Sequence, residues 1–181
     1  MIKLEFNKIK NIGVISETKS TTLEFNVIDW NKGSLKYDIR KWGKDGTIPY
    51  KGITLSKDEC IQLRDIINNV DIDLYMAINN EELKVVEKVE FDKSLAYIYK
   101  IFGEYKETKT KKGLLTYTSW GTGPKFDIRT WNLDFSGCGK GITLNIRELD
   151  SFKSLLNQEF KENNNIEEST DTSDLDNDLF L

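Results

Sequence analysis

The chain has 181 residues, of which 38% are hydrophobic and 31% charged, values ordinary for a soluble globular protein of one medium or two small domains. It has no histidine, and its two cysteines, Cys60 and Cys138, lie far apart without CxxC spacing, which argues against zinc clusters, disulfide frameworks and most acid–base catalysis. We therefore expect no enzyme activity, no metal and no other cofactor; the net charge of −4 argues at first sight against a polyanionic partner as well.

Four strands are predicted in the first 55 residues. Residues 6–16 and 22–30 carry apolar side chains at every second position, and two further strands are expected at 35–42 and 51–55. Ser56 then resembles a helix N-cap, with Glu59 three residues later completing a capping box. The helix that follows has an apolar stripe formed by Cys60, Leu63, Ile66 and Ile67.

The same order of elements is predicted again after a connector at 71–90, in which residues 81–90 fit either a short helix or an extended segment. Strands are expected near 95–107, 113–120, 124–131 and 140–144, and then a helix at about 146–160. Asn145 is its predicted cap, and its stripe comprises Leu149, Phe152, Leu155 and Leu156. Residues 162–181 are rich in acids and poor in apolar side chains, so we expect a disordered tail.

These elements form an internal repeat. An offset of 89 aligns Tyr37–Trp42 with Phe126–Trp131 and Lys51–Leu55 with Lys140–Leu144. An offset of 90, for one residue inserted in the first copy, pairs Trp30 with Trp120 and Gly13 with Gly103. The predicted fold is therefore α+β, with two tandem β-β-β-β-α units: a first copy at 1–70, a linker at 71–90 and a second copy at 91–161.

The strand parity separates an apolar face from a polar one. In the first copy Tyr37 and Ile39 share one face with the expected helix, which leaves the polar and aromatic side chains on the other. The second copy repeats the pattern. The outer set comprises Trp30, Lys36, Asp38, Arg40 and Trp42 in the first copy and Trp120, Lys125, Asp127, Arg129 and Trp131 in the second. We expect the two aspartates to orient the neighbouring arginines.

Tryptophan beside arginine and lysine is typical of surfaces that bind single-stranded nucleic acid. Indole rings stack on unpaired bases and the cations attract phosphates. The alternative is that the four tryptophans pack beneath a second sheet or at a dimer interface, where aromatic residues are also enriched.

The pattern Asp-Ile-Arg-x-Trp, an eight-residue loop, Lys-Gly-Ile-Thr-Leu and an amphipathic helix resembles the positive cofactor 4 family of transcriptional coactivators and its bacterial and phage relatives. The resemblance covers nearly all of residues 4–70 and, more loosely, 94–158. It implies a curved four-stranded sheet with a C-terminal helix, pairing of two units through their helices, and single-stranded DNA held across the sheet faces. With both copies on one chain, it implies an intramolecular pseudo-dimer, while a homodimer stays open.

The resemblance also implies which residues contact DNA. Stacking and phosphate contacts fall on Trp30, Arg40, Trp42 and Lys51, and on Trp120, Arg129, Trp131 and Lys140. Strand parity adds Lys36 and Lys125. Gly52 and Gly141 resemble the family glycine after the lysine, where a bulge or a close backbone approach is expected.

The acidic tail explains the net charge. Seven acids and no Lys or Arg lie in residues 162–181, so residues 1–161 carry about +3. Its end resembles the C-termini of bacterial and phage single-stranded DNA-binding proteins. That resemblance suggests that the tail binds a replication, repair or transcription partner or competes with DNA for the basic face, through Asp174, Asp176, Asp178, Leu179, Phe180 and Leu181.

The leading hypothesis is sequence-independent single-stranded DNA binding in replication, recombination or repair. A transcriptional coactivator that acts mainly through protein contacts and a single-stranded RNA-binding protein are the alternatives. No apolar run is long enough for a membrane span and no secretory signal is present, so we expect a cytoplasmic protein of a bacterium, or of the infected host if a phage encodes it.

Overall fold

A computed structural model describes residues 5–92 and 94–161 of the chain. It is an α+β fold with two antiparallel sheets, of four and five strands, and a C-terminal helix. The expectations for the acidic tail at 162–181 lie outside the described residues. Among the residues described, no helix is long and apolar enough to cross a membrane.

The first sheet is a meander in which each strand pairs with the next along the chain. Its order is β1-β2-β3-β4, and a helix follows the last strand. The elements are β1 (Phe6–Glu17), β2 (Thr21–Trp30), β3 (Leu35–Gly43), β4 (Pro49–Leu55) and α1 (Lys57–Asn68). All five were predicted from the sequence.

The connector between the copies contains both a helix and a strand. It comprises α2 (Ile72–Ala77), a 3₁₀ turn (Asn80–Glu82) and β5 (Glu87–Phe91), which pairs with the first part of the next strand. The expected linker at 71–90 is therefore wrong at its end, because β5 belongs to the second sheet. Val89 of β5 is buried, so this strand is stabilised by a tertiary contact that local sequence does not reveal.

The second sheet has the order β5-β6-β7-β8-β9, so the expectation of four strands in each copy holds only for the first. The remaining elements are β6 (Ser94–Glu107), β7 (Lys111–Ser119), β8 (Pro124–Asn132), β9 (Cys138–Leu144) and α3 (Ile146–Glu159).

Both long helices begin with the predicted caps. Ser56 and Glu59 form a capping box at α1, and Asn145 and Glu148 form one at α3. Each box satisfies two backbone N–H groups that the helix itself cannot bond. The predicted stripes face the core, where Cys60, Leu63, Ile67, Leu149, Phe152 and Leu156 are buried.

Each long helix crosses to the sheet of the other copy. Helix α1 packs against β6, and α3 packs against β1. Glycines make these approaches possible: a Cβ on Gly13 would lie 2.5 Å from a methyl group of Leu155, and one on Gly103 would lie 2.8 Å from Ile66. Because of this exchange, the side chains between the sheets and helices form one hydrophobic core that draws on both copies.

The strands are strongly coiled. In the sheet register Trp42 pairs with Thr22, which lies eight residues before Trp30 on β2, and a straight strand would separate these positions by about 26 Å. The Trp30 and Trp42 ring centroids are nevertheless only 6.3 Å apart. The sheet must therefore curl so that opposite corners of its helix-free face meet.

Candidate nucleic-acid interface

The four tryptophans form two stacked pairs on the sheet faces that lack the helices. Trp30 stacks on Trp42 at 6.3 Å and 11°, and Trp120 stacks on Trp131 at 5.7 Å and 11°. Trp30 and Trp120 are partly exposed, whereas Trp42 and Trp131 are completely buried. The expectation that all four rings stand open to solvent is therefore wrong for Trp42 and Trp131, because coiling of the sheet folds them inward.

Other side chains cover the buried rings. In the first copy Phe6 lies 5.0 Å from Trp42, and the Lys8 ammonium stands 3.7 Å above the same ring. In the second copy Phe135 lies 5.7 Å from Trp131. Trp30 and Trp120, the partly exposed members of the stacks, lie outside these covers. An arginine guanidinium lies over each of them, Arg40 at 4.6 Å from the Trp30 ring centroid and Arg129 at 4.3 Å from the Trp120 ring centroid, so a base that approached either ring would meet the arginine.

Arg40 is held in place by three of its five N–H donors. Its Nε and Nη2 donate to the Asp38 carboxylate at 2.9 and 2.8 Å, and its Nη1 donates to the backbone oxygen of Tyr50 at 2.9 Å. The guanidinium also lies 4.6 Å above the Trp30 ring. Burial raises the pKa of Asp38, and the hydrogen bonds from Arg40 oppose that shift.

Arg129 repeats this arrangement with less exposure. It donates to Asp127 through Nε and Nη2, at 2.7 and 3.0 Å, while Trp120 Nε1 donates to the same carboxylate at 2.6 Å. Burial lowers the pKa of Arg129, but the Asp127 carboxylate outweighs this effect and the pKa lies above its usual value. The two aspartates therefore orient the arginines as expected, but both arginines are far less open to solvent than an outward-facing strand position suggests.

Gly52 and Gly141 leave the space that the arginine side chains occupy. A Cβ on Gly141 would lie 2.4 Å from Cβ of Arg129, and a Cβ on Gly52 would lie 2.4 Å from the backbone oxygen of Ile39. The register shifts beside both arginines, on β3–β4 and on β8–β9. The close backbone approach expected at these glycines is thus present in both copies.

An open groove borders the exposed edge of Trp30. We call it the Trp30 groove; its volume is about 490 Å³ and it is lined by Trp30, Gly33, Ser34, Lys36, Arg40, Thr54 and Lys140. Six of these residues belong to the first copy, but Lys140 comes from the second. Lys36 and Lys140 are both exposed.

A second groove borders Trp120. This Trp120 groove has a volume of about 440 Å³ and is lined by Lys51, Phe91, Ser94, Trp120, Arg129, Cys138, Gly139 and Thr143. Here Lys51 is the residue from the other copy, and it is the repeat partner of Lys140. The two copies therefore exchange one exposed lysine, so each groove contains tryptophan and arginine from one copy and a lysine from the other.

Two smaller cavities lie where β4 and β9 approach one another, between the grooves. The larger, of about 280 Å³, shares Arg40, Thr54 and Lys140 with the Trp30 groove. The smaller, of about 120 Å³, shares Lys51, Arg129 and Thr143 with the Trp120 groove. These shared residues extend each groove toward the junction of the two copies.

The interiors behind the two stacks differ in polarity. In the first copy Glu24 accepts from Lys8 at 2.9 Å, from Thr22 at 2.7 Å and from Asn26 at 3.0 Å. Burial raises the pKa of Glu24, but these hydrogen bonds outweigh it and the pKa is lowered. The second copy has an apolar cluster instead, in which Trp131 packs with Val89, Ala96, Ile98 and Leu114.

Of the remaining sequence-predicted residues, Lys125 is exposed on β8 at the position equivalent to Lys36. The tail residues 174–181 lie outside the described part of the chain. Residues 5–92 and 94–161 contain no group of three or more Cys, Asp or Glu side chains that could hold a metal.

Phe6, Lys8 and Phe91 belong to the site but were not predicted from the sequence. Phe6 and Lys8 lie two residues apart on β1 and so point to the same face of the sheet. Because Phe6 pairs with Trp30 on β2, this is also the face that carries Trp30. That alternation was a usable signal. Phe91 had none, because β5 has no equivalent in the first copy.

Comparison with curated proteins finds a relative whose description states no function. No protein-family model matches the chain. A protein of Treponema pallidum (strain Nichols), described as an uncharacterized protein, is 39% identical over 67 residues, which cover 36% of this chain and 79% of the relative. The chain is thus similar to most of the Treponema protein at a level that indicates common descent, and it belongs to the same family as that protein.

Proposed function

We propose that this chain binds single-stranded DNA without sequence preference, as an intramolecular pseudo-dimer of two β-sheet units. The observation that carries the proposal is the pair of repeat-related grooves, each with a partly exposed tryptophan, an arginine and a lysine contributed by the other copy. Such a combination offers a stacking platform and phosphate-binding cations in one place.

The exchanged lysines favour a ligand that crosses both copies. Lys140 lines the Trp30 groove and Lys51 lines the Trp120 groove. Of the two cavities between them, one shares residues with the Trp30 groove and the other with the Trp120 groove. A flexible polyanion can follow this curved path, while a rigid duplex would not offer unpaired bases to two separate tryptophans.

The stacking role belongs to Trp30 and Trp120 in this proposal. Trp42 and Trp131 support them from behind, since both are completely buried. Arg40 and Arg129 are largely occupied by aspartate, so the exposed lysines, Lys36, Lys51 and Lys140, are the main phosphate contacts.

The pseudo-dimer also has support in the helices. Each helix packs on the opposite sheet, and glycines related by the repeat, Gly13 and Gly103, admit side chains related by the repeat, Leu155 and Ile66. The match to the Treponema protein spans 67 residues, about the length of one copy, and covers 79% of that protein. This length is consistent with a unit that also occurs singly.

Titration with oligo-dT tests the proposal, with tryptophan fluorescence as the readout. We expect quenching and an affinity that falls steeply as salt rises. Binding to matched duplex DNA should be much weaker. An unchanged tryptophan signal, or an affinity that does not respond to salt, would contradict the proposal, and stronger binding of a matched RNA oligomer would redirect it to RNA.

Recruitment of a replication, repair or transcription partner by the acidic tail remains part of the proposal. Its basis is sequence alone: Asp174, Asp176 and Asp178 are followed by the apolar run 179–181, Leu-Phe-Leu. Affinity capture with the whole chain and with a chain that ends at Lys161 tests it: a partner retained equally by both would contradict this role.

A further inference from the structure

The helix-facing sides of the two sheets differ at one repeat-related pair of positions. In the second copy Tyr117 on β7 pairs with Phe126 on β8, and these residues are 7% and 1% exposed. The equivalent pair in the first copy is Val27 and Tyr37, and both are partly exposed. The first sheet therefore has apolar surface that its counterpart buries.

In the second copy, helix α2 covers this apolar surface. Its Tyr75 lies 4.8 Å from Tyr117 and 5.4 Å from Phe126 between ring centroids. This helix comes directly after α1 in the chain. In the second copy, the segment that follows α3 in the sequence is 162–181.

The uncovered surface of the first copy borders a cavity of about 460 Å³. Tyr37, Ile61 and Phe160 provide its apolar walls, and Phe160 lies 5.1 Å from Tyr37. Lys57, Arg64 and Lys161 make its rim basic. Arg64 is already paired with Asp65 and donates to the backbone oxygen of Phe160, so Lys57 and Lys161 are the exposed cations of the rim. The one acid in the lining, Glu159, is bonded to Lys10 at 2.5 Å.

We propose that the C-terminal segment of the same chain docks in this cavity, with Phe180 against Tyr37 and Ile61 and the neighbouring aspartates at the basic rim. Phe180 would then cover the first sheet as Tyr75 covers the second. This inference does not rest on DNA binding, because the cavity lies on the helix side of the sheet and the grooves lie on the other.

Chain length, charge and side-chain chemistry all favour this occupant. Lys161, the last described residue, itself lines the cavity, and the twenty residues beyond it can span far more than the width of the site. Phe180 is the only aromatic residue among them. The segment carries seven acids and no Lys or Arg, which complements the rim.

Paramagnetic relaxation tests the docking in the full chain. A spin label is attached at Ser173→Cys in a Cys138→Ser background, in which the remaining Cys60 is buried. We expect loss of amide signal intensity at Tyr37, Ile61 and Lys57, with Tyr117 and Phe126 unaffected. Phe180→Ser and Lys57→Glu should each restore the lost intensity, whereas Arg147→Glu, an exposed charge reversal in the first turn of α3, should not.

Three results would overturn the proposal. Broadening centred on Trp30, Lys36 and Lys140 would place the tail on the basic grooves instead. Uniform or absent broadening would mean that the tail has no docking site on this chain. Broadening that appears only when labelled and isotope-enriched molecules are mixed would mean that the tail docks on a second copy.

Discussion

Asn68 and Asn157 form a reciprocal pair of side-chain hydrogen bonds across the two long helices. Asn68 Nδ2 donates to Asn157 Oδ1 at 3.0 Å, and Asn157 Nδ2 donates to Asn68 Oδ1 at 2.9 Å. The two residues are 89 positions apart, which is the offset of the sequence repeat. The same residue of each copy therefore meets its own repeat partner, as expected at an axis that relates two equivalent units.

Removing one side of this amide pair should destabilise the protein modestly. We expect Asn68→Ala and Asn157→Ala each to lower the free energy of unfolding by about 1 kcal/mol, because each leaves a partner amide with only water to bond. The double variant should cost less than the sum of the single variants, as urea unfolding can show. Strict additivity of the two single effects would indicate that the amides do not interact. Gln158→Ala, which lies on α3 beside Asn157, is the control.

The stacked tryptophans should separate into two groups when each is replaced by alanine. Trp42→Ala and Trp131→Ala should lower stability by about 3–5 kcal/mol, because each empties a buried site. Trp30→Ala and Trp120→Ala should instead weaken oligo-dT binding, by about 1–3 kcal/mol per base that is no longer stacked.

Thermal unfolding and fluorescence anisotropy of a labelled oligonucleotide measure the two effects. If Trp30→Ala and Trp120→Ala destabilised the fold as much as the buried pair and left affinity unchanged, the assignment of the outer rings to base stacking would be wrong.

Removing the exchanged lysines should reduce the salt dependence of DNA binding. Each phosphate contact on a single strand contributes about 0.7 to the slope of log affinity against log salt, so Lys51→Ala with Lys140→Ala should lower the slope by about 1.4. Lys84→Ala with Lys153→Ala removes the same charge away from the grooves and should leave the slope near its original value. Equal slopes for the two double variants would contradict the proposed path.

Gly52→Ala should be more harmful than Gly13→Ala. The new methyl group at position 52 would meet the backbone of Ile39 and Arg40, which cannot move without breaking the β3–β4 ladder. At position 13 it would meet only the end of the Leu155 side chain, which can change rotamer. We expect a loss of about 1–3 kcal/mol for Gly52→Ala and less for Gly13→Ala. Chemical denaturation of both variants checks the order.

Glu24 should make the free energy of unfolding depend on pH under acidic conditions. Burial opposes its ionisation, but hydrogen bonds from Lys8, Thr22 and Asn26 lower its pKa in the folded state. A lowered pKa in the folded state stabilises the protein above the pKa of the unfolded chain, and this stabilisation disappears as pH falls through the folded-state pKa.

Glu24→Gln should therefore lower the free energy of unfolding by about 1–3 kcal/mol at neutral pH. The difference in free energy of unfolding between the variant and the unchanged protein should become smaller as the pH falls below about 4.5. Guanidinium unfolding across this range gives both curves. Glu104→Gln, at an exposed position of β6, serves as the control. A constant difference at every pH would show that Glu24 stabilises the fold by packing alone.

Sequence by itself determined the repeat, the strand and helix order of both copies apart from α2 and β5, and the faces of β2, β3, β7 and β8. These follow from local rules: Ser56 and Asn145 cap their helices through bonds to residues three positions later, and alternation of side chains places Trp30 and Trp42 on the same face of the first sheet. The Asp38–Arg40 and Asp127–Arg129 pairs were also accessible, since residues two apart on a strand share a face.

Tertiary structure alone decided which of those side chains reach solvent and which copy they serve. Parity predicts a face but not its curvature, so it could not reveal that coiling would bury Trp42 beneath Phe6 and Lys8. The recruitment of β5 and the exchange of Lys51 and Lys140 depend on contacts between residues far apart in the chain. Such contacts form only when both sheets and both crossing helices pack around one core.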